Sequence, residues 1–287
     1  MTKYFKSEVA CTIYDTLKSP ALRVMSCVNG LDFSGASDAH DGLLRKLDQM
    51  EFANKSTQEE YLNDVYVLKQ FVNFISFYSG LWESVIKGEF SESWNVLQNA
   101  LDTMRCIKKF SKLDLSYFEE QLIELEKIYP YNVFFSIGAT VELFECSICG
   151  LDIDSLACCH RKGELYSGQM AIAIARNISQ FDHIAMVSIP EDKRCVITYD
   201  NESEQFKLIR YLSGLVKHGR LTISDFKGLN FSVVKRINPD FVKQNRNEKC
   251  SCGSGKKFKK CCIHSRYIDG DHVDIVAEPY CVKHMIT

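Results

Sequence analysis

Between Gln58 and Lys87 apolar residues recur at helical spacing, as Leu62, Val65, Tyr66, Leu68, Val72, Ile75, Leu81, Trp82 and Val85. That stripe predicts an amphipathic helix. Gly88-Glu89-Phe90 breaks it, and Ser91, a residue suited to capping, opens a second stretch carrying Trp94, Leu97, Leu101 and Met104 on one face. A third stretch begins near Asp114, carries Phe118, Leu122, Leu125 and Ile128, and stops before Pro130, where helical geometry is disfavoured. Residues 1–140 are therefore expected to be helical.

The pattern changes near Asn132. Val141–Glu145 alternates, Met170–Ile178 and Phe181–Ile189 predict two strands, Pro190-Glu191-Asp192 a turn, and Cys195–Tyr199 another strand. Phe206, Ile209, Leu212, Leu215 and Val216 form a helical stripe ended by Gly219, and Phe231–Val234 predicts a last strand. Strands with a segregated helix suggest a small α+β domain over 141–238. A polar linker follows, then a compact cysteine-rich segment over 246–263 and a tail, 264–287, with three of the seven histidines in no regular metal spacing. The expected fold class is α+β: a helical N-terminal region, a small zinc-containing α+β domain and a C-terminal zinc knob. Leu81–Leu101, with GEFSESWNVLQNAL at its heart, resembles one helical hairpin of a tetratricopeptide repeat. Stacked repeats need about three units to share a core, so an ordinary helical bundle is the expectation.

A chain of 287 residues that is 46% hydrophobic can bury real cores. Its 35 basic and 37 acidic side chains give a net charge of −2, which excludes a globally basic nucleic-acid coat but not a local patch. The opening MTKYFKSEVACTIYD mixes charges where a secretory signal needs an apolar run, and Lys69, Gln70 and Asn73 interrupt the most apolar stretch, Val65–Trp82. A cytoplasmic protein with no membrane span is expected. Thirteen cysteines change the picture, because eight of them fall at 146/149/158/159 and 250/252/261/262. Closely spaced thiols in a reducing compartment read as metal ligands. Cys11, Cys27, Cys106, Cys195 and Cys281 are scattered like buried small hydrophobes.

Cys146-Ser-Ile-Cys149-Gly is a knuckle in which both thiolates converge on one ion and the glycine relieves the turn. Cys158, Cys159 and His160 follow after eight residues. Ligands at i and i+2 share a turn without strain, so Cys158 with His160 is favoured; Cys158 with Cys159 is the alternative. Residues from about 80 to 235, with CSICGLDID, CCHRKGELYSGQM and DKRCVITYD, resemble a segment of bacterial proteins of uncharacterised activity that often precedes a translocase-type zinc tail. Cys146, Cys149, Cys158 and His160 fit that pattern, and Cys159 is an extra thiol.

Residues 250–262 read Cys-Ser-Cys-Gly-Ser-Gly-Lys-Lys-Phe-Lys-Lys-Cys-Cys. Gly253 and Gly255 permit a sharp return that brings Cys250 and Cys252 to Cys261 and Cys262. Zinc would supply the folding energy that so short a segment cannot draw from a core. This run closely resembles the SEC-C module, the zinc tail of the SecA translocase motor, over about residues 246–263. Two Zn2+ per chain are expected, the second in a closed site with no open position.

Lys243, Arg246, Lys249, Lys256, Lys257, Lys259 and Lys260 face only Glu248 in this region. Four thiolates around a dication remove two charges, which leaves a net of about +4. Such a knob attracts an acidic protein surface or a phosphate backbone. In the translocase the module docks on a chaperone and contacts ribosomes, so the resemblance implies a docking role on a protein or ribonucleoprotein, with Lys256, Lys257, Lys259 and Lys260 as partner-binding residues.

Candidate active sites are weaker. Asp182, Glu191, Asp192 and Lys193 superficially match the carboxylates and lysine of metal-dependent nucleases, but Pro190 puts the last three in a turn. His183 could act as a base, and Cys159 beside Arg161 as a reactive thiolate. The chain lacks a Walker-type loop, a Gly-x-Ser-x-Gly elbow and a dinucleotide fingerprint. The sequence reading is a non-catalytic zinc adaptor. A nucleic-acid-binding regulator and a metal-dependent nuclease acting in defence against foreign DNA are the alternatives. Trp82 and Trp94 stand as surface candidates on the helical region.

Overall fold

The computed structural model describes residues 4–239, 244–265 and 267–286; Lys243 of the basic run lies outside them. The described residues are a mix of helix and strand, as expected. Helices α1 (Glu8–Asn29), α2 (Phe33–Ala53), α3 (Glu59–Lys87), α4 (Phe90–Phe110) and α5 (Ser116–Glu126) come first. Strands β1 (Phe134–Cys146), β2 (Leu165–Tyr166), β3 (Gln169–Met170) and β4 (Ala173–Val187) follow, then α6 (Lys207–Lys217), β5 (Phe226–Ile237) and β6 (Tyr267–Ala277). By compactness the chain groups into two units, residues 1–226 with 278–287, and residues 227–277.

In the larger unit α3 is the spine. Its apolar residues spread around most of its circumference because α1, α2, α4 and α6 all pack on it. Phe71, Phe74, Ile75, Tyr78, Leu81 and Trp82 are buried. Gly88, at φ +88°, ends the helix in the left-handed conformation that favours glycine and donates its N–H to Ser84 O at 3.0 Å. Glu89, not Ser91, holds the cap position of α4. Ser91 lies inside the helix; its N–H donates to Asn201 Oδ1 (3.0 Å) and its hydroxyl to Tyr199 O (2.6 Å). Trp82 and Trp94 are not surface residues, with 0% and 1% exposure. The Trp94 indole N–H donates to Lys193 O at 2.9 Å.

Gln121 of α5 is a buried polar hub. It accepts from Tyr78 O–H at 2.6 Å and donates to Tyr117 Oη, Ile223 O and Phe226 O at 3.0, 2.8 and 3.1 Å. It therefore ties α3 and α5 to the segment before β5. Gln121→Leu should destabilise this unit by roughly 2–4 kcal/mol, because buried groups lose their partners without access to water. Urea denaturation checks this, and a midpoint equal to wild type would remove the hub from the account.

β1 and β4 form an antiparallel ribbon from Phe134↔Val187 to Cys146↔Ala173, with irregularities after Gly138 and Thr140. The expected strands over 170–178 and 181–189 are one strand, and β1 begins seven residues before Val141. Cys195–Tyr199 is not a strand. It is fastened piecewise: Phe135 N–H donates to Cys195 O at 2.8 Å, and Tyr199 stacks on Tyr131 at 5.8 Å. Helix α6 lays Ile209, Leu212 and Val216 inward behind the buried Phe206 that precedes it, and Ser213 Oγ donates to Val85 O at 2.8 Å.

The tail, unassigned from sequence, forms β6, which pairs with β5 in the smaller unit. The chain then returns to the larger unit. Glu278 N–H donates to Asp225 O at 2.9 Å, Tyr280 stacks on Tyr117 at 4.2 Å, and Met285 and Ile286 are buried. No helix among the described residues is long and apolar enough to cross a membrane.

Candidate metal centres

The first cluster hangs from the end of β1. Cys146, the last strand residue, is buried; its N–H donates to Leu151 O (2.7 Å) and its carbonyl accepts from Gly150 N–H (2.9 Å). Gly150 sits at φ +73°, so the knuckle closes through a conformation that a side chain would strain. The segment from 152 to 158 turns through Ser155 N–H to Asp152 O and Cys158 N–H to Ser155 O. His160 then stands edge-on to Tyr166 at 4.7 Å. Two anchors fix this lobe on the helices: Gly168 N–H donates to Asn63 Oδ1 (2.8 Å), and Lys109 reaches Gly163 O (2.7 Å) and Glu164 (2.8 Å).

One ligand atom each from Cys146, Cys149, Cys158 and His160 lies within 4.8 Å of all the others. Cys149 Sγ and Cys158 Sγ are 3.7 Å apart, and Cys158 Sγ and His160 Nδ1 3.9 Å. A disulfide needs about 2.05 Å. The edge of a tetrahedron with 2.3 Å metal–sulfur bonds is about 3.8 Å, so the donors are spaced for a shared ion. Cys159 is exposed and outside the group. The i, i+2 pair is the one brought together.

The second cluster has a miniature core of Phe258 and Cys250, with Cys261, Cys262 and Ile263 packed on it. Cys250 N–H donates to Lys256 O (2.7 Å), Phe258 N–H to Glu248 O (2.8 Å) and Lys259 N–H to Arg246 O (3.0 Å), which lays the two arms side by side. Gly253 and Gly255, at φ +78° and +73°, make the return as the spacing requires. Cys250, Cys252, Cys261 and Cys262 again place their sulfurs within 4.8 Å of one another, with Cys252–Cys261 at 3.5 Å and Cys261–Cys262 at 3.6 Å.

Electrostatics favours a cation in both. The Ser254 hydroxyl and N–H, with the neighbouring thiols, hold Cys252 down to about 6. The same crowding pushes Cys262 up to about 12 through its hydrogen bonds with Cys261, Cys250 and Cys252. In the first cluster Cys146 is lowered: burial opposes ionisation, but the N–H groups of Cys149 and Ile148 outweigh it. Cys158 is pushed up to about 11; the His160 backbone lowers it, but burial and the thiols of Cys149 and Cys146 prevail. Adjacent thiolates without counter-charge repel; a dication relieves the three of the first cluster and the four of the second.

Among the described residues, the only groups of three or more His, Cys, Asp or Glu close enough to hold a metal are these two. Three of the four nuclease-like residues make ion pairs of their own. Lys193 pairs with Glu126 at 2.8 Å, Asp192 with Arg194 at 2.8 Å, and Glu191 with Lys162 at 3.6 Å. His183 lies across from Gly138, and a Cβ there would fall 2.6 Å from the ring. That glycine is the floor on which the imidazole rests, a packing role that sequence spacing does not reveal. Lys256, Lys257, Lys259 and Lys260 are exposed.

The SEC-C motif family matches residues 246–263. The chain is similar to UPF0225 proteins of Vibrio cholerae serotype O1, with 67% identity over 24 residues that span 8% of this chain and 16% of the relative. It is also similar to the protein translocase subunit SecA of Endomicrobium trichonymphae, 64% identical over 28 residues, 10% of this chain and 3% of that protein. The matches thus cover a small fraction of either relative. No solved structure matches. The chain carries a SEC-C motif and a second cluster of metal-ligand type.

Proposed function

We propose that this protein is a zinc-binding cytoplasmic adaptor whose SEC-C module docks on an acidic protein surface or a ribonucleoprotein. Sulfur-rich tetrahedral donor sets, one of four cysteines and one of three cysteines and a histidine, suit Zn2+ best among common divalent ions. Both sets are closed, so the zinc is structural and leaves no coordination position for a substrate. The observation that carries the docking reading is the division of labour within residues 246–263. The four cysteines turn toward one another, while the lysines between them stay exposed to solvent.

The test is a four-site change, Lys256, Lys257, Lys259 and Lys260 to Gln. Zinc content and melting should match wild type, because none of these side chains is a ligand. Capture of partners from lysate should fall at least tenfold, and salt should weaken wild-type capture similarly, since exposed charge attraction is screened over about 8 Å at physiological ionic strength. Full retention of the captured proteins by the glutamine variant would reduce the basic face to a solubilising surface.

A further inference from the structure

Helix α6 carries a second basic surface, separate from the cysteine-rich module. Its buried stripe uses Ile209, Leu212 and Val216. The opposite side lines a groove of about 430 Å³ with Lys207, Arg210, Tyr211, Gly214, His218 and Arg220. Between Glu204 and Asp225 the sequence contains no acidic residue, so every charged side chain that lines the groove is basic, with Leu215 adding to its apolar floor. Arg210 is held in place by neutral groups: its guanidinium donates to Asn201 O (2.8 Å) and Ser203 O (3.0 Å) and lies 5.8 Å from the Phe90 ring centroid. These contacts fix the position of the guanidinium without an ion pair among them.

Two further features point to the occupant. Tyr211 is 60% exposed in the middle of the charges, an aromatic ring presented to solvent. Gly214, one turn further on, lies inside the helix, where glycine costs about 1 kcal/mol relative to alanine. No heavy atom beyond its own helical surroundings lies within 4 Å of where its Cβ would be, so packing does not require the glycine. What it leaves is an open floor between Tyr211 and His218. Lysine and arginine at the rims, an exposed ring and a flat floor are the components with which proteins hold single strands: charges track the phosphates and bases stack on the ring.

We infer that the α6 groove binds single-stranded nucleic acid, with Lys207, Arg210 and Arg220 on phosphates and Tyr211 stacked on a base over Gly214. Helix α6 spans roughly 15 Å at helical rise, and Arg220, whose N–H donates to Leu215 O at 2.9 Å, folds back beside its last turn. That length accommodates about five phosphates of a stacked strand. Nothing in this recognition uses a 2′-hydroxyl, so RNA and DNA strands bind alike.

The experiment is fluorescence anisotropy of the full-length zinc-loaded chain with labelled 12-nucleotide RNA and DNA strands at low salt. Both strands should bind, and the blunt duplex of the same sequence more weakly, because its bases are already stacked. Lys207→Gln with Arg220→Gln should weaken binding at least tenfold and flatten the salt dependence by roughly 1.4 logarithmic units per tenfold change in salt, two contacts at about 0.7 each. Tyr211→Ala should cost roughly tenfold. Gly214→Gln should raise or preserve the melting temperature while weakening binding, a combination that a purely structural role for the position does not produce. Replacing Lys256, Lys257, Lys259 and Lys260 should leave strand binding in place. Failure to bind either strand, equal affinity for duplex with an indifferent Tyr211→Ala, equal competition by polyglutamate, or insensitivity to the α6 changes would each overturn the inference.

Discussion

Cys149→Ser should lower the melting midpoint of the larger unit by on the order of 10 °C, on the scale of a loss of about 3 kcal/mol in a domain this large. The lobe from 147 to 172 has little apolar core of its own. It is held by the cluster at one end and by the Asn63 and Lys109 contacts at the other. With one ligand gone the ion is released, and the remaining thiols lose the charge that keeps them together. Hydrogen exchange should accelerate first at Gly150, Cys158 and Gly163, whose N–H groups close the turns of the lobe. A melting curve superimposable on wild type would show that the first cluster is incidental to folding.

Cys252→Ser should have the opposite distribution of effects. Metal-replete wild-type protein should carry two zinc ions per chain by elemental analysis, and this variant one. The core of the second cluster is only Phe258 and Cys250 with three partly covered neighbours, which cannot stabilise the segment once the ion leaves. Residues 246–263 should therefore lose hydrogen-exchange protection while the larger unit melts as before. Capture of partners should disappear although every lysine remains, because the loop that presents them has lost its shape. One zinc in the wild type, or capture unchanged in the variant, would separate the basic face from metal binding.

The metal clusters were the most legible part of the sequence because their determinants are local. Cys-x2-Cys-Gly and Cys-x-Cys-Gly-Ser-Gly encode ligands and turn within a few residues, and the left-handed glycines at 150, 253 and 255 carry out what the spacing implies. The helices were legible for a similar reason, since their period is written continuously.

The ribbon was misread where its phase slips. Ile178, Phe181, Ile184 and Met186 pair with Val141, Ala139, Ile137 and Phe135. Their spacing of three, three and two breaks strict alternation because two bulges interrupt the ladder. A strand of 15 residues thus looks like two with a turn at Ser179-Gln180. β6 left no clean alternation: YIDGDHVDIVA sets three aspartates and a histidine among its apolar residues, in a strand whose partner begins some forty residues earlier. Trp82 and Trp94 looked available only because a sequence does not display which further elements will cover a helix.

The return of the chain at Glu278 changes the mechanics of the module. The smaller unit leaves at Phe226 and rejoins beside Asp225, so it is spliced into the larger unit and tethered at both ends. A force on the smaller unit is shared between two chain connections instead of peeling one free end. Truncation before residue 246 would remove more than the second cysteine cluster, because it takes away Tyr280, Met285 and Ile286 from the larger unit's own packing. The clean cut is an excision that joins Phe226 to Glu278, where a hydrogen bond of 2.9 Å between Asp225 and Glu278 already holds the two ends together. Excision of residues 227–277 should therefore leave the larger unit's melting temperature close to that of the whole chain, which a thermal melt of the joined chain checks.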